Sequence, residues 1–93
     1  MATKDKSPPA ELKTLYDGYL ERRRMELNEL QYALNNGHLD QIEDIAHRIK
    51  GNAGAYGYPE LSSLAGQMEE AAISENTEKV HDIVLQYRKA LES

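Results

Sequence analysis

Apolar residues recur at three- and four-residue steps in four stretches of the chain, separated by short runs of turn-forming residues. That spacing predicts four amphipathic helices. Over residues 10–34 the stripe is Leu12, Leu15, Tyr16, Tyr19, Leu20, Leu27, Leu30 and Leu34. Pro8 and Pro9 suit the first turn of this helix, where a missing N–H costs nothing. Gly18 interrupts the stretch and is expected to mark a kink between a short extra N-terminal helix and a longer second one. Asn35, Asn36 and Gly37 stop it, with the turn running through His38. The next helix is expected over residues 39–56, with Ile42, Ile45, Ala46, Ile49, Ala53 and Tyr56 inward and Gly57 as its end. Pro59 opens a third, striped by Leu61, Leu64, Ala65, Met68, Ala71 and Ala72. Residues 74–76 form a loop, and Asn76 or Thr77 caps the last helix. Val80, Ile83, Val84, Tyr87 and Leu91 make its stripe.

No segment alternates with period two, so no strands are expected. Four amphipathic helices with short connections imply an all-α fold, an antiparallel up-down four-helix bundle. Ninety-three residues allow one domain. Residues 1–7 are expected to be a flexible tail and residues 8–93 a single helical bundle domain.

Composition then removes several classes of function. There is no cysteine, hence no disulfide scaffold and no thiolate metal or redox site. No apolar run is long enough for a membrane span, and the first residues lack an apolar signal segment. A cytoplasmic location follows as the expectation. The net charge of −5 argues against a general nucleic-acid binder. The one basic cluster, Arg22, Arg23 and Arg24, reads first as a solvated helix face. Hairpin geometry also sets it at the axial level of residues 50–54, where it could help dock an acidic partner.

The chemistry lies on the second helix. At about 100° per residue, His47 falls roughly 150° from the centre of the apolar stripe and should face solvent. Lys50, Gly51, Gly54, Glu43 and Asp40 share its side. A glycine inside a helix costs about 1 kcal/mol relative to alanine. Gly51 and Gly54 point away from the stripe, so internal packing explains them poorly. Bare backbone beside the imidazole suits close approach by another protein. Gly57 is better read as a helix cap.

The run from Ala46 to Gly57, AHRIKGNAGAYG, followed by Leu61, Leu64 and Glu69, resembles the histidine-containing phosphotransfer (HPt) domain. The match is strongest over residues 39–70. The resemblance implies a four-helix bundle with an exposed phosphoacceptor histidine, His47. It makes Lys50 the basic residue steadying the phosphoryl group, Gly51 the glycine leaving room for a partner, and Gly57 the glycine near the helix end. Glu69 falls where the family places a Gln or Glu hydrogen-bonded to the imidazole; an ordinary solvated carboxylate is the other reading. Gly54 and Glu43 are carried as further partner-docking positions. The implied partners are response-regulator receiver domains and a hybrid sensor histidine kinase. The chain needs no cofactor, Mg²⁺ being expected on the receiver.

The residue types suit that chemistry. Imidazole, with a reference pKa near 6.5, is a nucleophile at neutral pH without a separate base. One ring nitrogen attacks phosphorus while the other keeps its proton and needs an acceptor, which a carboxylate at Glu69 would supply. Lys50, one turn on, can offset phosphoryl charge; a surface lysine paired with Glu43 or a similar group is the other reading and is compatible with that role. His38 and His81 read as solvated and idle.

Two other readings compete with this one. Asp44-x-x-His47 and Glu78-x-x-His81 have the spacing of a di-iron bundle, but those ligands must project inward, and these lie off the stripes. A docking module that carries no phosphate would be expected to lose the histidine. With no room for a nucleotide-binding domain, the chain reads as a phosphocarrier and not a kinase. A monomer is the default, and the Met1 start and short tail point to a free-standing protein.

Overall fold

The computed structural model describes residues 10–92, and side chains from Asp17 on. The expected tail at residues 1–7 and the Pro8-Pro9 start lie outside the described residues. Four helices follow one another: α1 Ala10–Asn35, α2 Leu39–Ala53, α3 Pro59–Ile73 and α4 Thr77–Glu92. Each packs on two neighbours, α1 on α2 and α4, and α3 on α2 and α4, which closes an antiparallel four-helix bundle. Among the described residues there is no strand, and no helix is long and apolar enough to cross a membrane.

Over α2, α3 and α4 the core is the set of stripes that the periodicity picks out, with Tyr56 only half-buried. In α1, Leu20 and Leu27 of the expected stripe are half-buried and Ala33 joins the core instead. Ile42, Ile45, Ala46 and Ile49 of α2 meet Leu61, Leu64, Ala65 and Met68 of α3, all buried. Val80, Ile83, Val84, Tyr87 and Leu91 close the bundle from α4, and Tyr19, Leu30, Ala33 and Leu34 from α1. Full burial of an isoleucine or leucine side chain is worth about 1.5–3 kcal/mol. Three buried isoleucines therefore fix the rotation of α2, and with it the direction in which His47 points.

Two expectations for α1 are corrected. The helix runs unbroken through Gly18, so there is no short extra helix. Nothing forces a kink, because a Cβ at Gly18 would meet no atom within 4 Å. Nor is the basic cluster a uniformly solvated face. Arg22 and Arg24 are exposed, but Arg23 is only 4% exposed.

The three turns share one device, a pair of backbone hydrogen bonds closing a left-handed residue at the helix end. At the first turn, His38 N–H donates to Ala33 O (2.8 Å) and Gly37 N–H to Leu34 O (3.3 Å), with Gly37 at φ 71°. The second repeats it, with Tyr58 N–H to Ala53 O at 2.9 Å and Gly57 at φ 86°. Regular helix thus ends at Ala53, three residues before Tyr56, because the chain winds down through this cap. The third turn puts Glu75, not glycine, in the left-handed region at φ 57°, a strain of order 1 kcal/mol. Asn76 is the cap of α4: its Oδ1 accepts from Lys79 N–H at 3.1 Å.

Candidate functional site

His47 sits on the outer face of α2 with 67% of its side chain exposed. Its neighbours on the wheel fix this, since Ile45, Ala46 and Ile49 are all buried. α3 then supplies a partner. Glu69 follows the buried Met68, which brings its carboxylate to the α2–α3 seam, 13% exposed. His47 Nδ1 lies 2.7 Å from Glu69 Oε2. A carboxylate only accepts, so Nδ1–H donates and the proton stays on Nδ1. In the neutral imidazole Nε2 is then left with its lone pair.

Lys50 completes the cluster from the other side. Its Nζ is 2.7 Å from Glu69 Oε1, so one carboxylate holds the imidazole and the ammonium on separate oxygens. Lys50 therefore pairs with Glu69, not with Glu43. Glu43 is half-buried one turn before His47 and, with Asp40, Ile73 and Glu75, lines an open groove of about 470 Å³ toward the α1–α2 turn. Among the described residues it makes no hydrogen bond or ion pair.

Hydrogen bonding to Lys50 is the largest cause holding the Glu69 carboxyl below the usual carboxylate range; desolvation opposes it, and the hydrogen bond to His47 adds to the lowering. The ionised form is favoured in the folded protein. The stabilisation it brings is complete above the unfolded value of about 4.3 and fades as pH falls through the lowered folded value. Lys50→Ala removes the largest cause. The Glu69 titration midpoint, followed by side-chain carboxyl NMR, should then move up toward the ordinary range; an unmoved midpoint would refute this attribution.

Two glycines on the exposed face have no internal reason to be glycine. A Cβ at Gly51 would meet nothing within 4 Å, and one at Gly54 only Ser62 Oγ at 3.9 Å. Gly66 is different, and the sequence reading did not single it out. A Cβ there would stand 3.3 Å from Lys50 Cδ, so bare backbone on α3 lets the lysine stem lie across the helix toward Glu69. A glycine in mid-helix, three residues before a candidate carboxylate, was the available signal. Ser62 Oγ–H also donates to Lys50 O at 3.0 Å, tying α3 to α2 beside the site.

A second polar cluster, also unforeseen, joins α1 to α2. Arg23 Nη1 donates to Asn52 Oδ1 at 3.0 Å, and the Tyr19 hydroxyl donates to the same oxygen. Arg23 Nε is 2.7 Å from Glu26 Oε1. The approach is too bent for a directed hydrogen bond, so charge attraction holds the pair. The guanidinium also lies 4.5 Å from the centre of the Tyr19 ring, which stacks on Tyr56 at 4.2 Å. Burial pushes the Tyr19 phenol above its ordinary pKa. The Arg23–Asn52 contact sets the basic run at the level of residues 50–54, as hairpin geometry expects. Asp44, His47, Glu78 and His81 are all exposed, so the inward geometry of a di-iron site is not formed.

A four-helix bundle that presents one exposed imidazole, buttressed from the next helix by a carboxylate and flanked by lysine and bare backbone, defines a histidine phosphotransfer class of protein. The family model described as Hpt domain matches residues 14–93, and the chain belongs to that family. Neither a curated protein nor a solved structure matches it. Hpt domains are phosphocarrier modules of phosphorelays, working with receiver domains and kinases of two-component systems.

Proposed function

We propose that this chain takes a phosphoryl group on His47 from a receiver-domain aspartate and passes it to the aspartate of another receiver. The observation that carries this reading is the His47 Nδ1–Glu69 contact, which leaves the exposed Nε2 as the nucleophile. In the forward step the Nε2 lone pair attacks phosphorus and the N–P bond forms. The bond from phosphorus to the aspartate oxygen breaks, and its electron pair leaves with the carboxylate. The Nδ1 proton stays toward Glu69, whose charge offsets that growing on the ring. Lys50 is near enough to turn from Glu69 to the phosphoryl oxygens. Transfer back to a second aspartate is the reverse of these events.

Such a reaction depends on positioning and charge more than on covalent machinery. The receiver supplies the aspartate and Mg²⁺, and a hybrid kinase is the natural source of the first phosphoryl group. Glu43 is the weakest of the docking positions, since it faces the α1–α2 turn.

The test is transfer from a panel of phosphorylated receivers to the native protein and to Gly51→Leu. Native protein should acquire an acid-labile, base-stable label. Gly51→Leu should be more stable by up to about 1 kcal/mol, having gained helix propensity without internal clash. It should nevertheless lose most transfer, because the added side chain meets the partner. Transfer at the native rate would remove the steric role of Gly51, and no label from any receiver would remove the carrier reading.

A further inference from the structure

Between α1 and α2, beside the His47 face, lies an open groove of about 590 Å³. Gly18, Tyr19 and Arg22 of α1 line it, with Arg48 and Asn52 of α2 and Tyr56 of the turn that follows. Its charge is opposite to that of the whole molecule. The chain carries −5, yet the groove gathers Arg22, Arg23 and Arg48 around a single carboxylate, Glu26. That carboxylate is 9% exposed and held by Arg23 at 2.7 Å. Arg48 reaches it only at 3.9 Å and keeps 60% of its side chain in solvent. Among the described residues Arg22 makes no ion pair or hydrogen bond. Two exposed guanidinium groups thus lack a close partner, and the bare backbone of Gly18 leaves the groove open, since a Cβ there would meet nothing.

We propose that this groove is a second docking surface, which takes an acidic stretch of the same receiver that presents its aspartate to His47. The inference rests on the phosphotransfer reading. A partner whose site gathers carboxylates is repelled by an acidic protein everywhere except at a local basic patch, and such a patch sets orientation and encounter rate. The groove is continuous with the His47 face. Arg48 is the next residue after His47, Asn52 lies about 6 Å further along α2 at 1.5 Å per residue, and Tyr56 stands in the turn beyond the end of the helix. An acidic segment seated there fixes the rotation of the partner about the phosphoryl axis, which a single contact at His47 cannot do. Arg23 has a positioning role only: buried and paired, it holds the two walls together.

The experiment is a binding titration with a receiver that exchanges phosphoryl groups with the native chain, at low and at moderate salt. The double variant Arg22→Glu, Arg48→Glu should bind at least tenfold more weakly at low salt, with a flatter salt dependence than native protein. Gly18→Leu, which fills the groove without changing charge, should also weaken binding. Lys79→Glu, an exposed reversal in the first turn of α4, is the control and should change affinity little. Equal affinities for the double variant and the control would overturn the proposal, and so would native affinity in Gly18→Leu. Labelling native protein with phosphoramidate, a small donor that needs no docking, separates the two levels. If His47 takes that label while the groove variants bind normally, only the groove fails; if it takes none from phosphoramidate or from receivers, the carrier reading fails and the groove falls with it.

Discussion

His47→Gln should lose phosphoryl acceptance completely while remaining folded. The loss is total because Gln has no lone pair on nitrogen of comparable nucleophilicity, and the other two histidines lie elsewhere, His38 in the α1–α2 turn and His81 on α4. The fold should survive because the imidazole is mostly in solvent and α2 is held by Ile42, Ile45 and Ile49 on its far side. Among the described residues the imidazole's one hydrogen bond or ion pair is with Glu69, and with 67% of the His47 side chain in solvent, screening by water keeps that contribution small. Label retention and the thermal unfolding midpoint, measured on one preparation, check both halves. An unfolded variant would mean that the ring supports the bundle.

The second large effect belongs to Arg23. Truncating it to alanine removes the charge facing Glu26, the donor to Asn52 and the group packed on Tyr19. Breaking one side of a buried pair costs about 3–5 kcal/mol because the other charge stays buried and uncompensated. A domain of this kind has only about 5–15 kcal/mol in total, so Arg23→Ala should bring the urea midpoint down sharply or leave the chain unfolded. Arg24→Ala, one residue on, should be nearly silent. Its ion pair with Glu21 is exposed and 3.6 Å long, and such pairs contribute about 0–1 kcal/mol. Equal effects at the two positions would show that the α1–α2 polar cluster does not hold the helices together.

That contrast marks where the sequence is legible and where it is not. α2 and α4 repeat their apolar residues so regularly that stripe, rotation and the outward direction of His47 all follow from spacing. The turns are legible too, because a left-handed cap calls for glycine, as at Gly37 and Gly57; Glu75 shows the same cap formed without that signal. α1 is harder. Its buried line runs Tyr19, Arg23, Glu26, Leu30, Ala33, at steps of four and three, so two charged residues occupy core-facing positions. A run of three arginines looks like a solvated face unless the gap between Leu20 and Leu27 is noticed and filled with a charged pair. Asn52, flanked by Gly51 and Ala53, gives no sign by itself that it accepts from both Tyr19 and Arg23. For Lys50 the spacing points to Glu43 or a similar group, and only the packing of α3 on α2, with Gly66 beside the lysine stem, brings in Glu69.

The most direct measurement is to phosphorylate the protein with a competent receiver and locate the phosphoryl group by ¹⁵N–¹H and ³¹P NMR of the histidine side chains. The account predicts one phosphohistidine, at His47, with phosphorus on Nε2 and the proton on Nδ1. Phosphorus on Nδ1, on His38 or His81, or on no histidine, would contradict it.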